Sequence, residues 1–291
     1  MNHKNDYVKV ASFVFLDGYR KRYDRDPSGV LYNKYITLLH RELKSQGTDI
    51  RLSHCWYRWG DAVVKSSVPY IEWTHDDLDK TSVSYKGYDP HINRRDPVVR
   101  YSEEYAGRFM DEYGDGIEGV EKAIDTVYSE APFEFQRRYR SLRESLKITR
   151  SGTMVNESFE SYVASLLEHA ADVFPDEFNT IRKQFGQFRT VFIESLRNGA
   201  SVDILYEMVE SFWFFFCYHL RLNRKCHENV SRDTLRYWRS ILPVEKSRFE
   251  SAIQNYAYYH CRDSSEPSVT EMLRARESRL EELRTLLDLL E

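Results

Sequence analysis

The sequence predicts a mainly α-helical protein: an N-terminal winged-helix-like unit with a small β-ribbon, followed by a C-terminal helical bundle. Three observations lead there. Apolar residues recur every three or four positions over most of the chain, the spacing of one helix face. Only 12 glycines and 8 prolines punctuate 291 residues, too few for a turn-dense β fold. Two short extended pieces, 68–73 and 81–88, stand apart from this pattern and give a ribbon at about 68–88.

The elements follow in order. Tyr7, Val10, Ala11, Val14 and Phe15 mark a first helix, which Asp26-Pro27 ends. Leu31, Tyr35, Ile36, Leu38, Leu39 and Leu43 mark a second. Trp56, Trp59 and Val63 suggest a short third helix before the ribbon, and helix–helix–helix–ribbon is the element order of a winged helix. Asp96-Pro97 is a cap followed by proline at the first helical position. Asp115 with Glu118 has capping-box spacing for a helix through Val127, and another helix covers about 133–149. The polar stretch 149–158 reads as a linker between a domain at 1–150 and an all-helical bundle at 156–291. That bundle is expected as helices at about 157–173, 176–197, 202–224, 232–241, 244–262 and 268–290.

Composition narrows the class. With 41% hydrophobic and 30% charged residues the chain can bury a core, and its net charge of −4 names no partner. Residues 1–155 carry 25 Lys and Arg against 24 Asp and Glu, and residues 156–291 carry 17 against 22. Neither half is basic in bulk, so any nucleic-acid contact must rest on a local patch. Four cysteines without close pairs, and an apolar N-terminal stretch too short for a leader, predict a cytoplasmic setting.

The stretch SFWFFFCYHLRLNRKCHENVS at 211–231 invites four readings. Its apolar run of about ten residues is half of the roughly 20 that a membrane span needs, so no membrane is expected. Metal ligation by Cys226, His227, His260 and Cys261 requires the chain to fold back near Pro243. No Cys-x2–4-Cys pair supports it, and neither a metal nor any other cofactor is expected. Arg221 and His227 have an Arg-x5-His spacing that resembles the loose Arg-x4–6-His motif of HEPN-type helical ribonucleases. The resemblance implies that His227 acts on a 2′-hydroxyl and Arg221 steadies phosphate charge, with Leu222 where that family's pattern usually has a polar residue. The fourth reading is a buried helix, because the segment is apolar all round.

The segment 132–150 is the main functional candidate. Phe135, Tyr139, Leu142 and Leu146 form an apolar stripe. Arg137, Arg138, Arg140, Arg143, Lys147 and Arg150 give a local charge of +5 over 137–150 after Glu144, suited to a phosphate backbone. The alternative is a set of intramolecular pairs with Glu118, Glu121 and Asp125. Arg51 precedes the expected third helix and Arg58 lies within it, and both would face the same DNA or RNA. Leu273, Leu280, Leu283, Leu287 and Leu290 follow heptad spacing and predict a homodimer through 268–290. No nucleotide-loop, zinc-protease or nucleophile-elbow motif is present, so no catalytic residue is assigned. The leading expectation is a non-enzymatic regulatory or interaction protein. The alternatives are the Arg221/His227 ribonuclease and a protein–protein scaffold.

Overall fold

Helix periodicity governs most of the chain, and the fold is accordingly helical with two small antiparallel sheets. The structure is a computed structural model that describes residues 4–75, 81–86, 90, 92–150 and 157–260. The N-terminal part holds α1 (Lys4–Tyr23), α2 (Gly29–Ser45), the hairpin β1 (His54–Tyr57) and β2 (Gly60–Val63), and the ribbon β3 (Ile71–His75) and β4 (Thr81–Tyr85). Then come α3 (Pro97–Tyr113), α4 (Ile117–Ser129), α5 (Glu134–Arg150), α6 (Glu157–Asp172), α7 (Arg182–Arg197), α8 (Val202–Leu220), the short β5 (His227–Glu228) and α9 (Arg232–His260). A 3-10 segment at Asp176–Ile181 precedes α7.

Local chemistry sets several boundaries, the expected cap at Asp96 among them. The Asp96 carboxylate caps α3 by accepting from the Val98 N–H at 2.8 Å, and it also accepts from the Tyr7 hydroxyl at 2.9 Å. Ser28 caps α2 through the Leu31 N–H at 3.1 Å. Gly199, at φ +74°, follows α7 in the left-handed conformation that stops a helix. The capping box expected at Asp115 does not form. Gly116 is the cap, and Asp115 is drawn away into an ion pair with Arg25 at 2.5 Å.

Two further expectations change. The segment read as a third helix is the β1–β2 hairpin, so the winged-helix element order is interrupted there. Its two-residue turn is pinned where the Arg58 carbonyl accepts from Trp213 Nε1 at 3.0 Å. Gly60 enters β2 at φ +91°, and a Cβ there would stand 3.0 Å from Val127, so sterics reserve the position for glycine. The two helices expected at 232–241 and 244–262 are one helix that continues through Pro243. Proline costs that helix one hydrogen bond without ending it, because the ring is exposed.

One apolar cluster runs from Val8 to Tyr256 and crosses the expected domain boundary. The predicted stripe of α5 is fully buried: Phe135, Tyr139, Leu142 and Leu146 are each 0% exposed. It packs against Phe212, Trp213 and Phe216 of α8, so the stretch that opened four readings is the core. Among the described residues no helix is long and apolar enough to cross a membrane. β5 joins the free edge of β1 to give the order β2-β1-β5, with Cys55 opposite His227 and His54 opposite Glu228. That pairing brings residues distant in sequence onto one small sheet against α2.

Candidate functional site

Strand alternation gives this sheet two faces. His54, Trp56, Asp61 and Val63 lie on one; Cys55, Tyr57 and Ala62 lie on the other. β5 continues both, placing Glu228 with His54 and His227 with Cys55.

The first face packs against α2 and is polar where the neighbouring surfaces are apolar. Asp61 is fully buried, accepting from Arg41 at 2.7 Å and facing His54 Nδ1 at 2.7 Å. Burial alone would raise the Asp61 carboxyl. The His54 and Arg41 charges outweigh it and hold the group down at about 2. His54 is subject to the converse: burial lowers its pKa, but Asp61 reverses the sign and raises it. Beyond His54 lies His40 of α2, 1% exposed, with the ring centroids 5.2 Å apart. Neither nitrogen of His40, nor Nε2 of His54, has a hydrogen-bond partner among the described residues. Glu228 Oε2 faces both rings, 3.5 Å from His54 Nε2 and 3.7 Å from His40 Nε2, while Lys44 holds Glu228 Oε1 at 2.5 Å. His40, His54 and Glu228 are the described residues whose ligand atoms converge on one point.

The second face is the floor of a pocket of about 610 Å³, within the ~300–1,000 Å³ range of ligand sites. Its walls carry five aromatic rings, from Tyr57, Trp59, Trp73, Tyr237 and Trp238. Three cations also line it, Lys34, Lys65 and Arg221, against a single carboxylate, Asp233, which is itself paired with Arg236 at 2.9 Å. None of the three cations has an ion-pair partner among the described residues. The Arg221 guanidinium lies among Tyr57, Tyr218 and Trp238, at 4.1, 4.4 and 5.1 Å from their ring centroids, and its buried Nε is unbonded. Lys65 Nζ sits 4.7 Å over Trp73, and partial burial lowers its pKa. Lys34 is 1% exposed and donates to the Asp61 carbonyl at 2.8 Å. Burial pushes its pKa down to about 7, with Asp61 opposing the shift.

The residues singled out from sequence fall elsewhere, with one exception. In α5, Arg143 is buried, bound to Glu210 at 2.5 Å and held between Trp59 and Trp213. Arg140 is buried over Tyr128 and pairs with Asp125 at 2.7 Å. Arg138 pairs with Glu134, Lys147 with Glu121 and Arg150 with Asp203, while Arg137 donates to the Ala131 carbonyl. The intramolecular pairs foreseen with Glu121 and Asp125 are therefore present, with Glu210 and Asp203 added. Arg58 pairs with Glu210 at 3.2 Å, and Arg51 is exposed. Cys226, His227 and His260 do not converge. His227 lies before α9 and His260 at its far end, and that helix of 29 residues is itself about 43 Å long at 1.5 Å each. Cys261 and the leucines Leu273, Leu280, Leu283, Leu287 and Leu290 lie outside the described residues. The exception is Arg221, which lines the pocket.

Sequence reasoning missed Lys34, His40, His54, Asp61 and Glu228. A faint signal existed: Lys34 and His40 interrupt the apolar stripe of α2, and a polar residue on a buried face needs a partner. Nothing local connects them to Glu228. Comparison with family models, with characterised proteins and with solved structures finds no match for the chain.

Proposed function

We propose that the protein is a regulatory or interaction protein whose pocket binds a nucleotide, either free or at the end of a single strand. The observation that carries this reading is that Arg221 and Lys65, with no ion-pair partner among the described residues, line a pocket walled by five aromatic rings. Flat rings stack on nucleobases, and an arginine fork with nearby ammonium groups suits a phosphate. The basic helix α5 supports nucleic-acid binding less well, because its cations are already spent on carboxylates and a carbonyl of the same chain. Homodimerisation through 268–290 remains part of the reading, on the heptad spacing alone.

Titration followed by tryptophan fluorescence tests it, since Trp59, Trp73 and Trp238 line the pocket. Nucleoside monophosphates, a short 5′-phosphorylated RNA strand, duplex DNA and inorganic phosphate are the probes, each at two salt concentrations. Quenching by the monophosphates alone assigns a free nucleotide; tighter binding of the strand assigns nucleic acid. Arg221→Gln weakens either by about tenfold or more, equivalent to about 1.4 kcal/mol. Duplex binding that survives Arg221→Gln and falls with the exposed pair Arg137→Ala and Arg138→Ala would move the contact to α5. Strand cleavage lost in His227→Ala would establish the ribonuclease alternative. No response to any probe defeats the pocket reading.

A further inference from the structure

We propose that His40, His54 and Glu228 form a binding site for a divalent transition-metal ion of the zinc class, with Asp61 orienting His54. The inference does not rest on the nucleotide pocket, whose sheet residues are mostly those of the other face. It starts from an unmet demand. A neutral imidazole carries one donor and one acceptor, and burying either without a partner is costly. His40 is 1% exposed with both nitrogens unpartnered, and His54 Nε2 is buried and unpartnered as well. One ion at the point where these rings meet supplies a partner to both Nε2 atoms at once.

Distances fit such an ion. Bonds of 2.0–2.2 Å in tetrahedral geometry separate neighbouring ligand atoms by about 3.3–3.6 Å. The observed separations from Glu228 Oε2 are 3.5 Å to His54 Nε2 and 3.7 Å to His40 Nε2. All three ligand atoms lie within 4.8 Å of one another, so a small rotation of the two rings completes the triangle. The surroundings are those of a ligated site. Asp61 faces His54 Nδ1 at 2.7 Å, which fixes the proton there and leaves the Nε2 lone pair for the ion. Arg41 in turn anchors Asp61 at 2.7 Å, and Lys44 holds the far oxygen of Glu228.

Ligand chemistry selects the ion. Two imidazoles and one carboxylate suit zinc and its neighbours and disfavour the oxygen-seeking magnesium and calcium. Three protein ligands leave a position for water, the composition found at open rather than closed zinc sites. The ligands come from α2, β1 and β5, so the ion would staple the segment between α8 and α9 to the N-terminal part.

The test uses the full chain after treatment with a chelator. Zn2+ affinity is measured by competition with a chromophoric chelator, and Co2+ spectra report the coordination geometry. One equivalent is expected, with intense tetrahedral Co2+ bands and a melting temperature that rises with Zn2+ concentration. Glu228→Gln, at a partly exposed position, should keep its circular dichroism spectrum and lose at least about tenfold in affinity and most of the thermal shift. Asp61→Asn should lose about 10–100-fold, the usual effect of removing an outer carboxylate. Should that buried substitution prevent folding, Glu228→Gln alone decides. Failure of the wild-type chain to bind either ion at micromolar concentration overturns the proposal. So does a Glu228→Gln protein with wild-type affinity, since the ion would then sit on other histidines.

Discussion

Individual polar residues inside this core show how burial sets their chemistry. Arg143 is almost fully enclosed, yet Glu210 at 2.5 Å and two indole faces satisfy it, so its charge is structural. His219 is the opposite case: it packs edge-on to Phe215 with no ion-pair partner among the described residues, and burial lowers its pKa to about 4. Because the folded-state value lies below the unfolded 6.5, its contribution to stability is complete above pH 6.5 and is lost as pH falls towards 4. The full difference is at most about 3 kcal/mol. Urea unfolding of wild type and His219→Gln between pH 4 and 8 should give curves that converge as pH falls. Parallel curves would show that His219 does not contribute to the acid sensitivity.

At the scale of elements, helices followed their apolar spacing and the sheet did not. α5 appeared where Phe135, Tyr139, Leu142 and Leu146 placed it, because a stripe of large apolar groups has one way to be buried. The hairpin β1–β2 has four residues per strand, too few to show an alternation, and its turn is held by Trp213 and Tyr128 from later in the chain. α9 is the instructive exception among helices. Pro243 looked like a boundary, but packing of Phe249, Ile253 and Tyr256 on the core carries the helix through it. Pro243→Ala restores one backbone hydrogen bond at an exposed site and should stabilise the protein by about 1–3 kcal/mol. A thermal midpoint unchanged or lowered would mean that the proline's distortion is needed for packing.

For the molecule as a whole, one buried apolar cluster holds residues from both sides of the linker expected at 149–158. The proposed dimer is tested at this scale. Light scattering should report about twice 34.7 kDa for the wild-type chain and a monomer for Leu280→Asp with Leu287→Asp. A wild-type monomer would retire the heptad reading.

The sequence by itself determined the helical class, most helix positions and the identity of the α8 core. These depend on neighbours three and four residues away, and that spacing is written in the chain. Tertiary structure decided which polar residues meet. His40, His54 and Glu228 are separated by up to 188 positions and converge only because two residues of β5 pair with β1. The same folding turned the arginines of α5, the most conspicuous charge in the sequence, towards acids of other helices. It left Arg221 and Lys65 lining a pocket whose one carboxylate, Asp233, is itself paired with Arg236. A charge pattern records what a segment carries. Its partners are fixed only when the remaining elements close around it, because burial penalises every charge left unpaired.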